Sequence, residues 1–264
     1  MKIAVIGTGN MGGALMDAFR LDSENVIVAY NQGAEKLYAV CARTGAKAAA
    51  SAVEAVKGCE LVLLAVKPIA MPSVLKEIVP VLTADQIVVS IAVGLTIASY
   101  AMVLGADKKI VRAMPNTPAA VQAGMTAFSF GDRVTESEQQ RVIKLFSLAG
   151  GTAVLPERLM NAVSALTGSS PAYVYMLIEA MADGGCYAGI PRDQTYQLAA
   201  QAVLGAAKMV LETGKHPGQL KDEVCSPGGT TIRAVAELEK CGMRSAVMEA
   251  IRSCVDAAEK PQNK

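Results

Sequence analysis

The chain has no tryptophan, four phenylalanines and seven tyrosines in 264 residues. No aromatic platform is therefore available for stacking nucleic-acid bases, and the core must be built from aliphatic side chains and methionine. Charge of either sign is also scarce. Lys and Arg total 25 against 24 Asp and Glu, a net charge of +1, and no basic run occurs. Such a balance supplies no broad field to recruit nucleic acid or an anionic membrane. Histidine occurs once, as His216 in a Lys-His-Pro-Gly turn, so proton-transfer chemistry has few carriers. The six cysteines, at 41, 59, 186, 225, 241 and 254, contain no C-x-x-C pair. That spacing speaks against zinc and iron–sulfur sites and is expected of reduced thiols. Long apolar runs are missing. The longest candidate, Leu61 to Val66, falls far short of the ~20 residues a membrane helix needs. The apolar start after Met1-Lys2 reaches Gly7 at once, too soon for a signal peptide. These absences predict a soluble cytoplasmic protein with no metal, nucleic-acid or membrane partner.

What is present is apolar: 52% of residues are hydrophobic and 19% charged. Short β-branched runs alternate with amphipathic ones in the first half. Strands are predicted at Ile3–Ile6, Val26–Tyr30, Leu61–Val66, Ile87–Ala92 and Lys109–Ala113, then at Thr126–Phe130 and Thr152–Leu155. Helices are predicted at Met11–Arg20, Ala34–Thr44, Met71–Leu82 and Glu136–Ala149. Strands apolar on both faces and separated by helices imply a doubly wound parallel sheet, an α/β Rossmann-type domain. After about Pro156 the strand signal ends. Asn161–Ala188, Arg192–Thr213 and Thr231–Ala258 read as long helices. The expected division is a dinucleotide-binding domain over 1–157 and an all-helical substrate-binding and dimerisation domain over 158–264. Between Asn161 and Lys208 the charged side chains are Glu179, Asp183, Arg192, Asp193 and Lys208. Helices with so narrow a polar face are expected to bury themselves against a second subunit. A compact monomeric cap is the alternative.

Gly7-Thr8-Gly9-Asn10-Met11-Gly12 follows the first strand and opens a helix, the context a G-x-G-x-x-G dinucleotide motif requires. Gly7 is expected to make the tight turn, Gly9 to admit the pyrophosphate and Gly12 to let helix and strand pack closely. The second strand ends in Tyr30-Asn31-Gln32-Gly33, without the acid that holds the ribose 2′-hydroxyl of NAD. Asn31 can bond a 2′-phosphate, and Lys36 is either near it or a solvated helix residue. NADPH is the expected cofactor, with NADH usable. Further candidates lie past the carboxyl ends of strands, where ligands of open parallel sheets bind: Ala65, Val66, Lys67 and Pro68; Ile91, Ala92 and Val93; and Asn116. Lys67 reads as a positioning or solvated residue, and Asn116 as a bridge to cofactor or simply between loops.

Near the other end, Ser226-Pro227-Gly228-Gly229-Thr230-Thr231 forms a turn ahead of a helical run. The first amides of a helix lack internal partners and carry the positive end of its dipole, and glycines let an anion approach them. A capped helix after a glycine turn is the plainer reading. With a cofactor motif at the other end of the chain, Gly228, Gly229, Thr230 and Thr231 become candidates for binding a substrate carboxylate.

Together the segments Gly7–Met11, Ala65–Pro68, Met114-Pro115-Asn116-Thr117-Pro118 and Val224–Ala234 resemble the pyrroline-5-carboxylate reductases. Gly168-Ser169-Ser170-Pro171-Ala172-Tyr173 also matches a family segment, with Ser170 where glycine is commoner. Ser51-Ala52 departs from an asparagine many members have there. The resemblance implies an N-terminal Rossmann domain and a C-terminal helical domain interlocked in a homodimer, with dimers often assembled five to a ring as a decamer. It implies reduction of 1-pyrroline-5-carboxylate to L-proline by NAD(P)H, with the Thr231 hydroxyl near the ring nitrogen. A cyclic imine can arrive protonated, so hydride attack leaves a neutral amine and needs no strong acid. Catalysis by positioning, with Thr231 as the orienting residue, is the expectation. A β-hydroxyacid dehydrogenase, the nearest rival, uses a lysine on the first long helix of the second domain; Asn161 to Ala207 contains none. A reductase of another cyclic imine and a non-catalytic NADP-binding regulator remain alternatives. The regulator has no use for a second anion turn.

Overall fold

The computed structural model describes residues 1–259. The chain forms two compact units, one built on Met1–Ser169 and one on Ser170–Cys254. In the first, β1 (Lys2–Ile6) leads to α1 (Asn10–Phe19), β2 (Val26–Tyr30), α2 (Ala34–Thr44), a two-residue β3 (Lys47–Ala48) and α3 (Ala52–Val56). There follow β4 (Leu61–Leu64), α4 (Met71–Ile78), β5 (Ile87–Ser90), α5 (Ile97–Leu104), β6 (Lys109–Met114), β7 (Gly124–Phe130), α6 (Glu136–Ser147), β8 (Gly150–Val154) and α7 (Met160–Val163).

The eight strands form one sheet in the order β3-β2-β1-β4-β5-β6-β7-β8. The chain winds outward from β1 to β3, then returns to place β4 on the other flank of β1. That reversal opens a crevice beyond the carboxyl ends of β1 and β4, where ligands of doubly wound sheets bind. β7 runs antiparallel to β6, and β8 is parallel to β7, a departure from the all-parallel sheet that the run of strands predicts. The link from β6 is the short turn Thr117–Val121, and a parallel crossover needs a dozen or more residues.

Alternation along the strands assigns the two faces. Ile3 and Val5 pack with Leu15, Phe19, Phe128 and Phe146, whereas Ala4 and Ile6 pack with Val56, Leu75, Ile78 and Tyr100. Phe146 meets Phe19 and Phe128 edge-on at centroid distances of 5.1 and 5.2 Å. The four phenylalanines are thus gathered on one face.

The stretch after Pro156 packs within the first unit. Met160 and Val163 join Met114 and Ala127 in a small apolar cluster, and the Asn116 side chain reaches Thr167 O. The helix expected over Asn161–Ala188 is divided: α7 passes into a π-helical turn, Ser164–Gly168, and α8 runs Ser170–Tyr187. Pro171, without an N–H, fits the first turn of α8 and not a continuing helix.

The second unit contains α8, α9 (Arg192–Thr213), α10 (Pro217–Val224), α11 (Thr230–Lys240) and most of α12 (Met243–Glu259). The helix expected over Thr231–Ala258 breaks at Gly242, whose φ of +74° is left-handed. The α10 helix was hidden behind the Lys-His-Pro-Gly turn that starts it. Pro217 occupies its first turn, and His216 caps it by accepting the Gly218 N–H at Nδ1, 3.0 Å. Within α8 to α11 the buried residues are Ala182, Thr195 and Ala199. Leu211 and Met176 are 84% and 69% exposed. A unit this apolar with so little core is built to be covered. Among the described residues no helix is long and apolar enough to cross a membrane.

Candidate functional site

The turn after β1 is made by glycines with three separate duties. Gly7 has φ +104°, and a Cβ there would lie 2.6 Å from Ala65 O. A Cβ on Gly12 would be driven into Gly7 O, so the start of α1 is pressed against the turn. At Gly9 a Cβ would meet nothing within 4 Å. The space there is open. The α1 helix starts behind Gly9 with no side-chain cap. The α2 helix likewise starts behind Gly33 without a side-chain cap, whereas α3, α5 and α6 start on Ser51, Thr96 and Thr135, whose hydroxyls accept an N–H of the first turn. The α1 amides therefore face outward unclaimed by any side chain.

Thr8 Oγ1 is buried without a hydrogen-bond partner among the described residues, an orphan that calls for a group from outside. The Thr8 N–H donates to Asn31 Oδ1 at 3.2 Å, and Asn31 Nδ2 donates to Gly33 O at 3.0 Å. Asn31 thus ties the end of β2 to the glycine turn. An open turn, a buried orphan hydroxyl and free helix amides suit a dinucleotide pyrophosphate.

A cleft of about 430 Å³ opens on this turn. Gly7, Gly9, Asn31, Ala65, Val66 and Lys67 line it, six of the sequence candidates gathered from three segments. The sequence reading missed its far wall, formed in part by Ser73, Val74 and Glu77 of α4. Ser73 and Glu77 share a helix face at a spacing of four, which is a surface signal unless the neighbour is known. Pro68 begins a short 3₁₀ turn and faces a separate apolar groove with Met71 and Leu75. Asn10, Met11 and Gly12 form the first turn of α1. Lys36 lies exposed on α2 and does not line the cleft.

Ile91, Ala92 and Val93 follow β5, with Ala92 buried and Val93 partly exposed. The Ala92 N–H donates to Ser90 Oγ at 3.2 Å. Asn116 spends both ends of its carboxamide inside the protein: Nδ2 donates to Thr167 O at 2.9 Å and Oδ1 accepts from Met125 N at 2.8 Å. Of its two readings, loop-bridging is the one these bonds perform.

In the second unit, Gly228 takes φ +68°, and the Gly229 N–H donates to Ser226 O at 3.0 Å. A Cβ on Gly229 would run into the Ser226 hydroxyl. The left-handed backbone at Gly228 favours glycine, whereas at Gly229 the nearest obstacle is a hydroxyl able to turn aside. The α11 helix begins at Thr230 behind Gly229, again without a side-chain cap. Thr231, in its first turn, is partly exposed. His216 is engaged at Nδ1 in capping α10, a structural duty for the one histidine.

A doubly wound sheet whose first turn leads into an uncapped helix N-terminus, with a cleft at the switch between β1 and β4, defines the dinucleotide-binding α/β class. Comparison with known proteins gives the family. The model described as pyrroline-5-carboxylate reductase dimerisation matches residues 157–261, and that described as NADP oxidoreductase, coenzyme F420-dependent, matches residues 2–94. The pyrroline-5-carboxylate reductase of Escherichia coli is 48% identical over 98% of this chain and 97% of its own. The structure of a pyrroline-5-carboxylate reductase from Coxiella burnetii superposes with a TM-score of 0.91 at 32% identity, covering 97% of each chain. That of Plasmodium falciparum pyrroline carboxylate reductase with NADP bound gives 0.87 at 29% identity, covering 98% of this chain and 97% of its own. The chain belongs to the pyrroline-5-carboxylate reductase family.

Proposed function

We propose that this chain reduces the C=N bond of 1-pyrroline-5-carboxylate to L-proline, the last step of proline biosynthesis, with NADPH as preferred donor and NADH as a usable one. Family membership over nearly the whole chain supports the activity. The NADP-bound Plasmodium falciparum relative supports the cofactor. The end of β2 supports the phosphorylated form, because Tyr30-Asn31-Gln32-Gly33 offers no carboxylate to repel a 2′-phosphate. The observation that carries the reading is a pair of glycine turns, at Gly9 and Gly229, each leading into a helix N-terminus that no side chain caps. One suits a pyrophosphate and the other a small carboxylate.

When bound, NADPH supplies two electrons as hydride. The chain's own residues bind and orient. Gly7, Gly9 and Gly12 shape the pyrophosphate turn, while Thr8, Asn10, Met11, Asn31, Ala65, Val66, Lys67, Pro68, Ile91, Ala92, Val93 and Asn116 form or support the rest of the cofactor site. Gly228 and Gly229 shape the turn that admits the substrate carboxylate, the backbone amides of Thr230 and Thr231 at the start of α11 hold it, and the Thr231 hydroxyl orients the ring nitrogen. Hydride adds at the imine carbon of the protonated ring, and the C=N π pair moves to nitrogen and leaves a neutral amine. Positioning and fixed dipoles suffice for such a step.

Residues 1–157 take the cofactor role and 158–264 the substrate and subunit-contact roles in this proposal; 260–264 lie outside the described residues. The exposed apolar helices of the second unit support a homodimer, and a pentamer of dimers is the larger assembly we propose. A cytoplasmic location accords with cysteines scattered outside any disulfide-rich or metal-binding spacing. The test is NADPH oxidation with 1-pyrroline-5-carboxylate, beside its six-membered analogue and a no-substrate control. Turnover confined to the five-membered imine supports the proposal. No turnover with NADPH still bound would refute it in favour of another imine or a regulatory role.

A further inference from the structure

The strand β5 reads Ile87-Val88-Val89-Ser90 and ends in a buried hydroxyl. Ser90 is 1% exposed, and Tyr100 on α5 is 2% exposed. Their oxygens lie 2.5 Å apart. Ser90 Oγ also accepts the Ala92 N–H, 3.2 Å away. Tyr100 otherwise sits among Met71, Leu75 and Leu104, surroundings that a phenylalanine would fill without the cost of burying a phenol. Burial pushes the phenol above its ordinary pKa, with the Ser90 bond working against that rise. The hydroxyl therefore stays protonated and able to donate or accept.

The helix carrying this phenol is firmly anchored. Thr96 and Ser99 form a reciprocal capping box at its start. Glu157 Oε1 accepts the Ile97 N–H at 2.7 Å, and the same oxygen lies 3.6 Å from the Arg112 guanidinium. Arg112 is buried on β6 opposite Ser90 in register and donates to Asn161 Oδ1 at 3.0 Å. Tyr100 is thus a fixed post, and its partner Ser90 in turn accepts the backbone amide of Ala92.

We infer that the Ser90–Tyr100 hydroxyl pair is a positioning device for the Ile91–Val93 loop, setting the direction of the backbone just past the carboxyl end of β5 for cofactor binding. The inference rests on the reading of that loop as part of the dinucleotide site. Without the phenol, the Ser90 hydroxyl is free to turn among its rotamers, and the Ala92 amide loses a fixed acceptor. The loop then spends part of its time misdirected, and affinity for the cofactor falls in proportion to that fraction.

The experiment compares the unmodified full-length chain with Tyr100→Phe and Ser90→Ala. It reads NADPH affinity by titration, KM for NADPH and for 1-pyrroline-5-carboxylate, and thermal midpoint. Tyr100→Phe is expected to weaken NADPH binding and raise its KM by about 3- to 10-fold, the range one neutral hydrogen bond commands, with the imine KM within about twofold. Ser90→Ala is expected to do the same, and the double variant to add little to Ser90→Ala alone, as for residues acting through one bond. A lower thermal midpoint with unchanged cofactor constants in both variants would mean a packing role only and overturn the inference. Failure of the unmodified chain to bind NADPH would instead remove the dinucleotide reading itself, and this inference with it.

Discussion

Replacing Gly9 by alanine separates the cofactor site from the fold, because the added methyl meets no protein atom within 4 Å. Gly9 has φ −70° and ψ −170°, extended backbone that alanine adopts freely. The variant gains about 0.4–1 kcal/mol from a stiffer unfolded chain, against a loss of about the same size from alanine's poor fit at a helix N-cap. Its thermal midpoint should stay within about 4 °C of the parent. Binding responds differently. The methyl projects into the space beside the uncapped α1 amides, where a phosphate must approach. Losing one charge-assisted bond of about 1.5–3 kcal/mol weakens affinity about 10- to 150-fold. NADPH fluorescence titration is the assay, helped by a chain without tryptophan. Gly12→Ala is the counterpart: its methyl would run into Gly7 O and stand 3.2 Å from Ala65 Cβ. Overpacking of that kind costs about 1–3 kcal/mol and shifts the turn, so stability and binding should fall together. A Gly9→Ala protein that binds NADPH within twofold of the parent would refute the pyrophosphate assignment, and an equally stable Gly12→Ala would refute the packing role.

Thr231→Ala should reduce turnover about 10- to 100-fold, in line with loss of one hydrogen bond to a charged group, while NADPH affinity stays unchanged; steady-state kinetics showing unaltered turnover would remove Thr231 from catalysis. The Glu60 carboxyl is held below its ordinary range first by the Lys2 N–H at 2.9 Å, against some burial, and then by Arg141. Because its folded pKa is lowered, the stability it contributes is present above the ordinary glutamate range and lost as pH falls through the folded value. Glu60→Gln should therefore show a flatter decline of thermal midpoint on the acid side, and an unchanged slope there would contradict the assignment. Phe146→Ala removes a fully buried ring from the Phe19–Phe128 cluster and should cost about 3–5 kcal/mol in urea unfolding; a loss below about 1 kcal/mol would mean that the cluster repacks.

Much of the first unit was legible because its signals are local. Gly7, Gly9 and Gly12 announce a turn by spacing alone, and β1, β2 and β4 by unbroken β-branched runs. The direction of β7 was not legible. Gly124–Phe130 is equally apolar in either orientation, and the short link from β6 decides it. The helix breaks of the helical half were partly legible: Pro171 and Gly242 are visible punctuation, but helical spacing on both sides masks them. Asn116 shows the limit most clearly. Its residue type promises a bridge, yet its partners Met125 and Thr167 lie 9 and 51 residues on, on a strand and in a π turn. Nothing local in the sequence singles out Tyr100, and its hydroxyl partner is visible only when α5 is laid against β5.

The sequence by itself determined the doubly wound sheet, the glycine turn at its first strand, the second glycine turn before Thr230, and a helical half too apolar to stand alone. Each follows from residue type and near-neighbour spacing, which act on the backbone within a few residues. Tertiary structure alone decided which candidates share a cleft, that Asn31 and Asn116 hold loops by their side chains, and that Tyr100 meets Ser90, whose hydroxyl accepts the Ala92 N–H. Those outcomes depend on directional bonds between residues distant in the chain. Bonds of that kind exist only after burial has brought the elements together and excluded the water that would otherwise satisfy them.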